Sequence, residues 1–283
     1  DLIDFNSNTT LTGPVALASA NGDVTFDGTL NGGSNLTVTA GTGDITFTGA
    51  VGGGTRLGAL SIVSADDVTA NALTTASLNQ TDGTGTTTLN GAVNTNAAGG
   101  ITLTNETIVV NVGLTTTAAG PVTLNADTTT LTLAAAGDIT ADGAVSLTGA
   151  TGISTAGDIT TTDDDVTYAS ATTLTGPVSV TTGAGGAGNI TFASTVTGTQ
   201  DLTLLAGTGN VTVTGDVGAT RLGVLTIASG NAVAFQGAGT QQAASLVVTA
   251  STSTTFTGNL NLTNGVSLAA GAGNVTFLNG LTA

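Results

Sequence analysis

The sequence predicts an all-β chain wound as a parallel β-helix, a β-solenoid with coils of roughly 20 residues. Three observations lead there. First, a short unit of the general form glycine–polar–apolar–threonine–apolar recurs, as at Gly22, Gly43, Gly137, Gly188, Gly209 and Gly273, with steps such as 43 − 22 = 21 and 209 − 188 = 21. Second, the apolar residues, 40% of the chain, are mostly Val, Leu, Ile and Ala set in short alternating runs beside threonine, a strand pattern. Third, a longer repeat encloses the short one. Gly22-Asp23-Val24-Thr25-Phe26 returns as Gly188-Asn189-Ile190-Thr191-Phe192, and Thr55-Arg56-Leu57-Gly58 as Thr220-Arg221-Leu222-Gly223, at 188 − 22 = 166 and 221 − 56 = 165. With 43 glycines and almost no Glu or Lys, no long helix is expected.

The elements follow in chain order. Residues 1 to 21 enter within a repeat: Thr10-Leu11-Thr12, a Gly13-Pro14 turn, then Val15-Ala16-Leu17. From Gly22 to Ala40 the unit is clearest. Val24 and Phe26, then Leu36 and Val38, alternate with polar residues and so face inward, while Asn31-Gly32-Gly33-Ser34-Asn35 supplies a corner. Phe47, Phe192 and Phe277 hold the same place in their units as Phe26 and are expected in the core. The stretch from Thr81 to Thr132 alternates least regularly. Gly and Thr are spread evenly, so no linker is expected and residues 1–283 form a single solenoid domain of about fourteen coils. Its long repeat runs over 1–165 and 166–283, the second copy incomplete at 283 − 165 = 118 residues.

Composition removes several classes of function. Eighteen carboxylates against two arginines give a net charge of −16, and such a polyanion does not bind nucleic acid by neutralising phosphates. Without cysteine there is neither disulfide nor thiolate chemistry. No apolar run is long enough for a transmembrane helix. Histidine and lysine are both absent, so nothing stands ready to tune a catalytic carboxylate, and no enzyme activity is expected.

The remaining polar residues fall into four sets. Asp23, Asp44, Asp138 and Asp158 take the second position of the unit, where Asn189 and Asn210 replace the first two in the second long repeat. The charge is therefore dispensable, and a turn role bonding local backbone N–H groups is expected rather than a calcium ladder. Asp163, Asp164 and Asp165 make the one dense charge run, the only candidate for Ca²⁺; no other cofactor is expected. For acid–base chemistry the candidate pairs are Asp66-Asp67, whose side chains would diverge if both lay in a strand, and Asp163 with Asp165. Arg56 and Arg221 occupy equivalent positions; a guanidinium there bridges coils or bonds corner carbonyls, with Asp201 one coil earlier at 221 − 201 = 20. Threonine pairs such as Thr37/Thr39, Thr102/Thr104 and Thr255/Thr257 place hydroxyls on one face, as an ice-binding solenoid would.

The units from Gly22, Gly43 and Gly209, their spacing, and the poverty in Lys, Cys and aromatics resemble filamentous haemagglutinin-type repeat proteins, very large bacterial surface proteins. The resemblance implies a right-handed parallel β-helix and roles in adhesion or the extracellular matrix. The expected function is a structural or adhesive segment of a secreted bacterial surface protein, extracellular, within a long or head-to-tail filament. Its expected partners are itself end to end, further repeats of the same chain, and host or matrix glycans. An ice-binding solenoid is the alternative, and a carbohydrate-active β-helix stands behind it. Neither Asp1–Val15 nor Val275–Leu281 reads as a capping unit with a polar outer face, so continuation into a longer assembly is also expected.

Overall fold

The computed structural model describes all 283 residues, Asp1–Ala283. It is all-β, with parallel strands stacked as a β-solenoid of about 13 coils, each of about 21 residues. No helix long and apolar enough to cross a membrane is present. The chain divides into two compact units, Asp1–Gly143 and Ala144–Ala283, a boundary that does not coincide with that of the long sequence repeat.

In the first unit the coils stack their strands on three sides, one of which is reduced in the coil of Ile45–Phe47 to the single bridge residue Val51. One sheet stacks Ile3–Phe5, Val24–Phe26, Ile45–Phe47, Val68–Ala70 and Thr86–Leu89 in that order. Another stacks Val15–Ala18, Leu36–Thr39, Leu60–Ser64, Leu78–Gln80 and Ile101–Asn105, and a third includes Leu73–Thr75, Val93–Thr95 and Leu114–Thr116. The register is set by sequence equivalence: Val24 pairs with Ile45 and Phe26 with Phe47. Because one residue type recurs at one height in each coil, like packs on like. Phe5, Phe26 and Phe47 stack with ring centroids 4.6 and 5.3 Å apart.

The second unit is built the same way, from Val145–Gly149, Val166–Tyr168, Ile190–Phe192, Val211–Val213, Ala232–Phe235 and Ser253–Phe256 in one sheet. Tyr168 stacks on Phe192 at 4.4 Å, and Phe235 on Phe256 at 4.5 Å. Phe277 continues that column at 5.6 Å. All seven phenylalanines and the single tyrosine thus belong to inter-coil stacks. Here short strands are not universal. Thr240–Ala250 runs for 11 residues and pairs with both Asn259–Leu262 and Val266–Gly271, its in-and-out alternation interrupted at Ala244-Ser245.

The inward register read from sequence holds. Phe26, Phe47 and Phe192 are 2%, 0% and 1% exposed, while Phe277 faces the same way but is half-buried. Thr81 to Thr132 proves as regularly coiled as the rest. Its alternation is hidden because inward positions are taken by Thr87, Thr95, Asn105 and Thr116, all buried.

Candidate functional site

Polar side chains do most of their work between coils. Asp23 Oδ1 accepts the backbone N–H of Asp44 at 3.0 Å, Asp44 Oδ1 that of Asp67 at 3.1 Å, and Asp67 Oδ1 that of Thr86 at 2.6 Å. The second unit repeats the device: Asp165 Oδ1 accepts from Asn189 at 2.7 Å, Asn189 Oδ1 from Asn210 at 2.9 Å, and Asn210 Oδ1 from Ala232 at 3.1 Å. These N–H groups lie where a coil turns and point at the coil before it, so a side-chain oxygen stands in for the missing ladder carbonyl. Carboxylate and amide both offer that oxygen, which is why Asp and Asn interchange. The expectation of a local turn bond is corrected in one respect: the acceptor serves the next coil, 19 to 24 residues on.

The two arginines staple coils, as their equivalent positions suggested. Arg56 Nη1 donates to the carbonyls of Thr75 (2.7 Å) and Asn94 (2.9 Å), and Nη2 to Asn94 Oδ1 (2.6 Å). Arg221 Nη1 donates to the carbonyls of Ala243 (3.0 Å) and Asn261 (2.7 Å), and Nη2 to Gln242 Oε1 (3.1 Å) and Asn261 Oδ1 (3.2 Å). Each guanidinium therefore ties its own coil to the next two in the C-terminal direction. Asp201 is not its partner; that carboxylate accepts the Val224 N–H at 2.7 Å, as Asn35 accepts the Ala59 N–H at 2.9 Å. Asn94 and Asn261 went unnoticed in the sequence, although 261 − 94 = 167 nearly matches the long repeat.

The acidic candidates lie in corners rather than strands. Asp66 accepts from Thr84 Oγ1 at 3.0 Å while Asp67 holds the ladder, so the divergence of strand neighbours does not apply to them. Asp163, Asp164 and Asp165 precede the strand Val166–Tyr168. Asp165 is bonded to Asn189 through both that residue's backbone N–H and its Nδ2, and the Asp164 carbonyl accepts from Thr161 Oγ1 at 2.5 Å. No three carboxylates converge as a metal-holding group.

The second unit carries an open groove of about 250 Å³ lined by Asp158, Pro177, Val178, Ser179, Asp201 and Thr203. Asp158 Oδ1 accepts the Ser179 N–H at 2.7 Å, so both carboxylates of the groove are fixed by backbone donors. With the hydroxyls of Ser179 and Thr203 it presents acceptors and donors side by side, next to Pro177 and Val178, chemistry that suits a polyhydroxylated ligand.

Outward threonines form a column in the first unit: Thr25, Thr46, Thr69 and Thr88 follow one another in register, with Val109 next. The threonine pairs expected on the sheet of Leu36–Thr39 do not stack on one another. Thr37 is followed by Ser61, Asn79 and only then Thr102.

Buried phenol is the one strongly perturbed titratable group. Burial pushes the Tyr168 hydroxyl far above its ordinary range, with the nearby charge of Asp158 adding to the effect.

The fold and these arrangements define the class: an all-β parallel solenoid whose polar residues join coil to coil. Compared with protein-family models, curated proteins and solved structures, the chain shows no significant match.

Proposed function

We propose that the chain is a structural and adhesive segment of a secreted bacterial surface protein, built to be stiff along its coils and to hold glycans on its outer faces. The observation that supports this reading most is the pair of arginine staples, each joining three successive coils through backbone carbonyls. Such bonds resist sliding and peeling of coils. The resemblance to filamentous haemagglutinin-type repeats supports the surface location, and the groove at Asp158 and Asp201 supports a glycan ligand. The same coil-on-coil contacts would join it to further repeats or to a second copy.

A bead-attachment assay under flow on surfaces coated with host or matrix polysaccharides tests this. Attachment that falls several-fold in Thr203→Ala, with the fold intact by circular dichroism, is the expected result. Equal attachment to coated and bare surfaces overturns the adhesive reading.

The threonine column Thr25–Thr46–Thr69–Thr88 favours a second reading, ice binding, since hydroxyls repeat at the strand spacing of about 4.8 Å. Thermal hysteresis, abolished in Thr46→Leu, would establish it over adhesion; freezing behaviour like that of an ordinary protein removes it.

A further inference from the structure

We infer that the core of the first unit contains a built binding site for one water molecule, held by Gln80 beside Thr87 and Asn105. The site begins with a change in size along the aromatic stack. Phe5, Phe26 and Phe47 fill one column, but the next residue in register is Ala70. Above the Phe47 ring this leaves an internal cavity of about 10 Å³, walled by apolar side chains such as Ile62, Leu78 and Leu103 and by two polar residues, Gln80 and Thr87. A space near one probe sphere admits a single water and nothing larger.

The polar side of that space is a wholly buried chain of hydrogen bonds. Gln80, Thr87 and Asn105 are each 0% exposed. Asn105 Nδ2 donates to Thr87 Oγ1 at 2.9 Å, and Thr87 Oγ1 donates to Gln80 Oε1 at 2.6 Å. The other end of the Gln80 amide, Nε2, is buried and has no partner in the protein. A buried amide left unmade costs about 1–3 kcal/mol, and that deficit sits on the wall of a cavity of water's own size. Rotating the amide by half a turn exchanges a donor for an acceptor at the same place, and water answers either.

Other occupants fail on chemistry. A calcium ion needs about six to eight oxygens, and this cavity has two polar side chains on its wall. A hydrocarbon or a gas atom would leave the amide unanswered. Water accepts from Nε2 and has the free lone pair of Thr87 Oγ1 within the same wall, which brings it to two polar partners. Since Gln80, Thr87 and Asn105 come from three different strands, Leu78–Gln80, Thr86–Leu89 and Ile101–Asn105, the water completes a polar joint between coils in an otherwise apolar core.

Water–protein NOE spectroscopy on the whole chain tests this. The expected result is long-lived cross-peaks from water to the Gln80 side-chain amide protons and the Leu103 methyls, lost in Gln80→Leu. Wild-type protein lacking these cross-peaks overturns the inference, as does their survival in a folded Gln80→Leu. If that variant does not fold, the wild-type spectrum decides alone, and Thr87→Val, which keeps the amide, is expected to weaken the cross-peaks without abolishing them.

Discussion

Arg56 and Asn94 sit 94 − 56 = 38 residues apart, yet two donors of the one guanidinium meet the backbone carbonyl and the side-chain oxygen of the other at 2.9 and 2.6 Å. The geometry needs a planar fork. Arg56→Lys keeps the charge and loses the two-pronged contact, so it should destabilise by about 1–2 kcal/mol; Arg56→Met should cost about 2–3 kcal/mol by also leaving carbonyls unmatched. Urea unfolding of both variants checks this order, and equal stability of Lys and wild type would refute it.

Position along the aromatic column should decide what a ring is worth. Phe47→Ala, at a site 0% exposed, should cost about 3–5 kcal/mol, whereas Phe277→Ala, half-buried, should cost less than half as much. Chemical denaturation of the two variants measures the ratio.

The oxygen ladder gives a discriminating pair. Asp44→Asn keeps the acceptor that Asp67 uses and should change stability by under about 0.5 kcal/mol, while Asp44→Ala should lose about 1 kcal/mol. If Asn proves as costly as Ala, the charge rather than the acceptor is what the coil needs.

Ala118 and Ala119 both adopt left-handed backbone, with φ of 57° and 58°. A side chain pays about 1–2 kcal/mol for that conformation, partly offset by the extra freedom glycine brings to the unfolded chain. Ala118→Gly is therefore expected to stabilise by up to about 1 kcal/mol, read as a higher melting temperature. A lower one would show that the methyl group contributes packing at this turn.

Tyr168 supplies a pH test free of overlap, being the only tyrosine. Its folded-state phenol titrates far above the unfolded value of about 10. The neutral form is favoured in the fold, so this contribution to stability is complete below about pH 10 and is lost as pH rises beyond it. Absorbance at phenolate wavelengths should stay flat on raising pH until the chain unfolds, then rise in step with loss of the β-sheet signal. Ionisation well before unfolding would place the ring near solvent.

Much of the fold was legible because both of its rules are local. Val24 and Phe26 alternate with Thr25, and Gly22 and Asn31 mark corners, all within one coil. What joins coils was not. Whether Asp23 caps its own turn or the N–H of Asp44 depends on a register 21 residues long, and sequence spacing alone leaves both open. The arginine role could be read because the motif recurs whole; its partners Asn94 and Asn261 lie outside the motif and gave no signal of their own. Thr87 and Asn105 misled in the other direction, since polar residues turned inward made the alternation from Thr81 to Thr132 look irregular. The carboxylates of the groove were visible one at a time, Asp158 as a turn residue and Asp201 as an arginine partner, but nothing in the order of residues brings them to one wall.

The oxygen ladder has a direction. From Asp23 to Asp44 to Asp67, and from Asp165 to Asn189 to Asn210, the earlier coil always holds the acceptor and the later one brings the N–H. Both arginines also reach toward coils made after them. A ribosome delivers the chain in that same order. Along the ladder each new coil brings its N–H to an acceptor already present on the coil before, whereas each arginine waits for carbonyls of the next two coils, so partners lie no more than two coils apart. For a long solenoid this vectorial chemistry turns a problem of many contacts into a sequence of identical short steps.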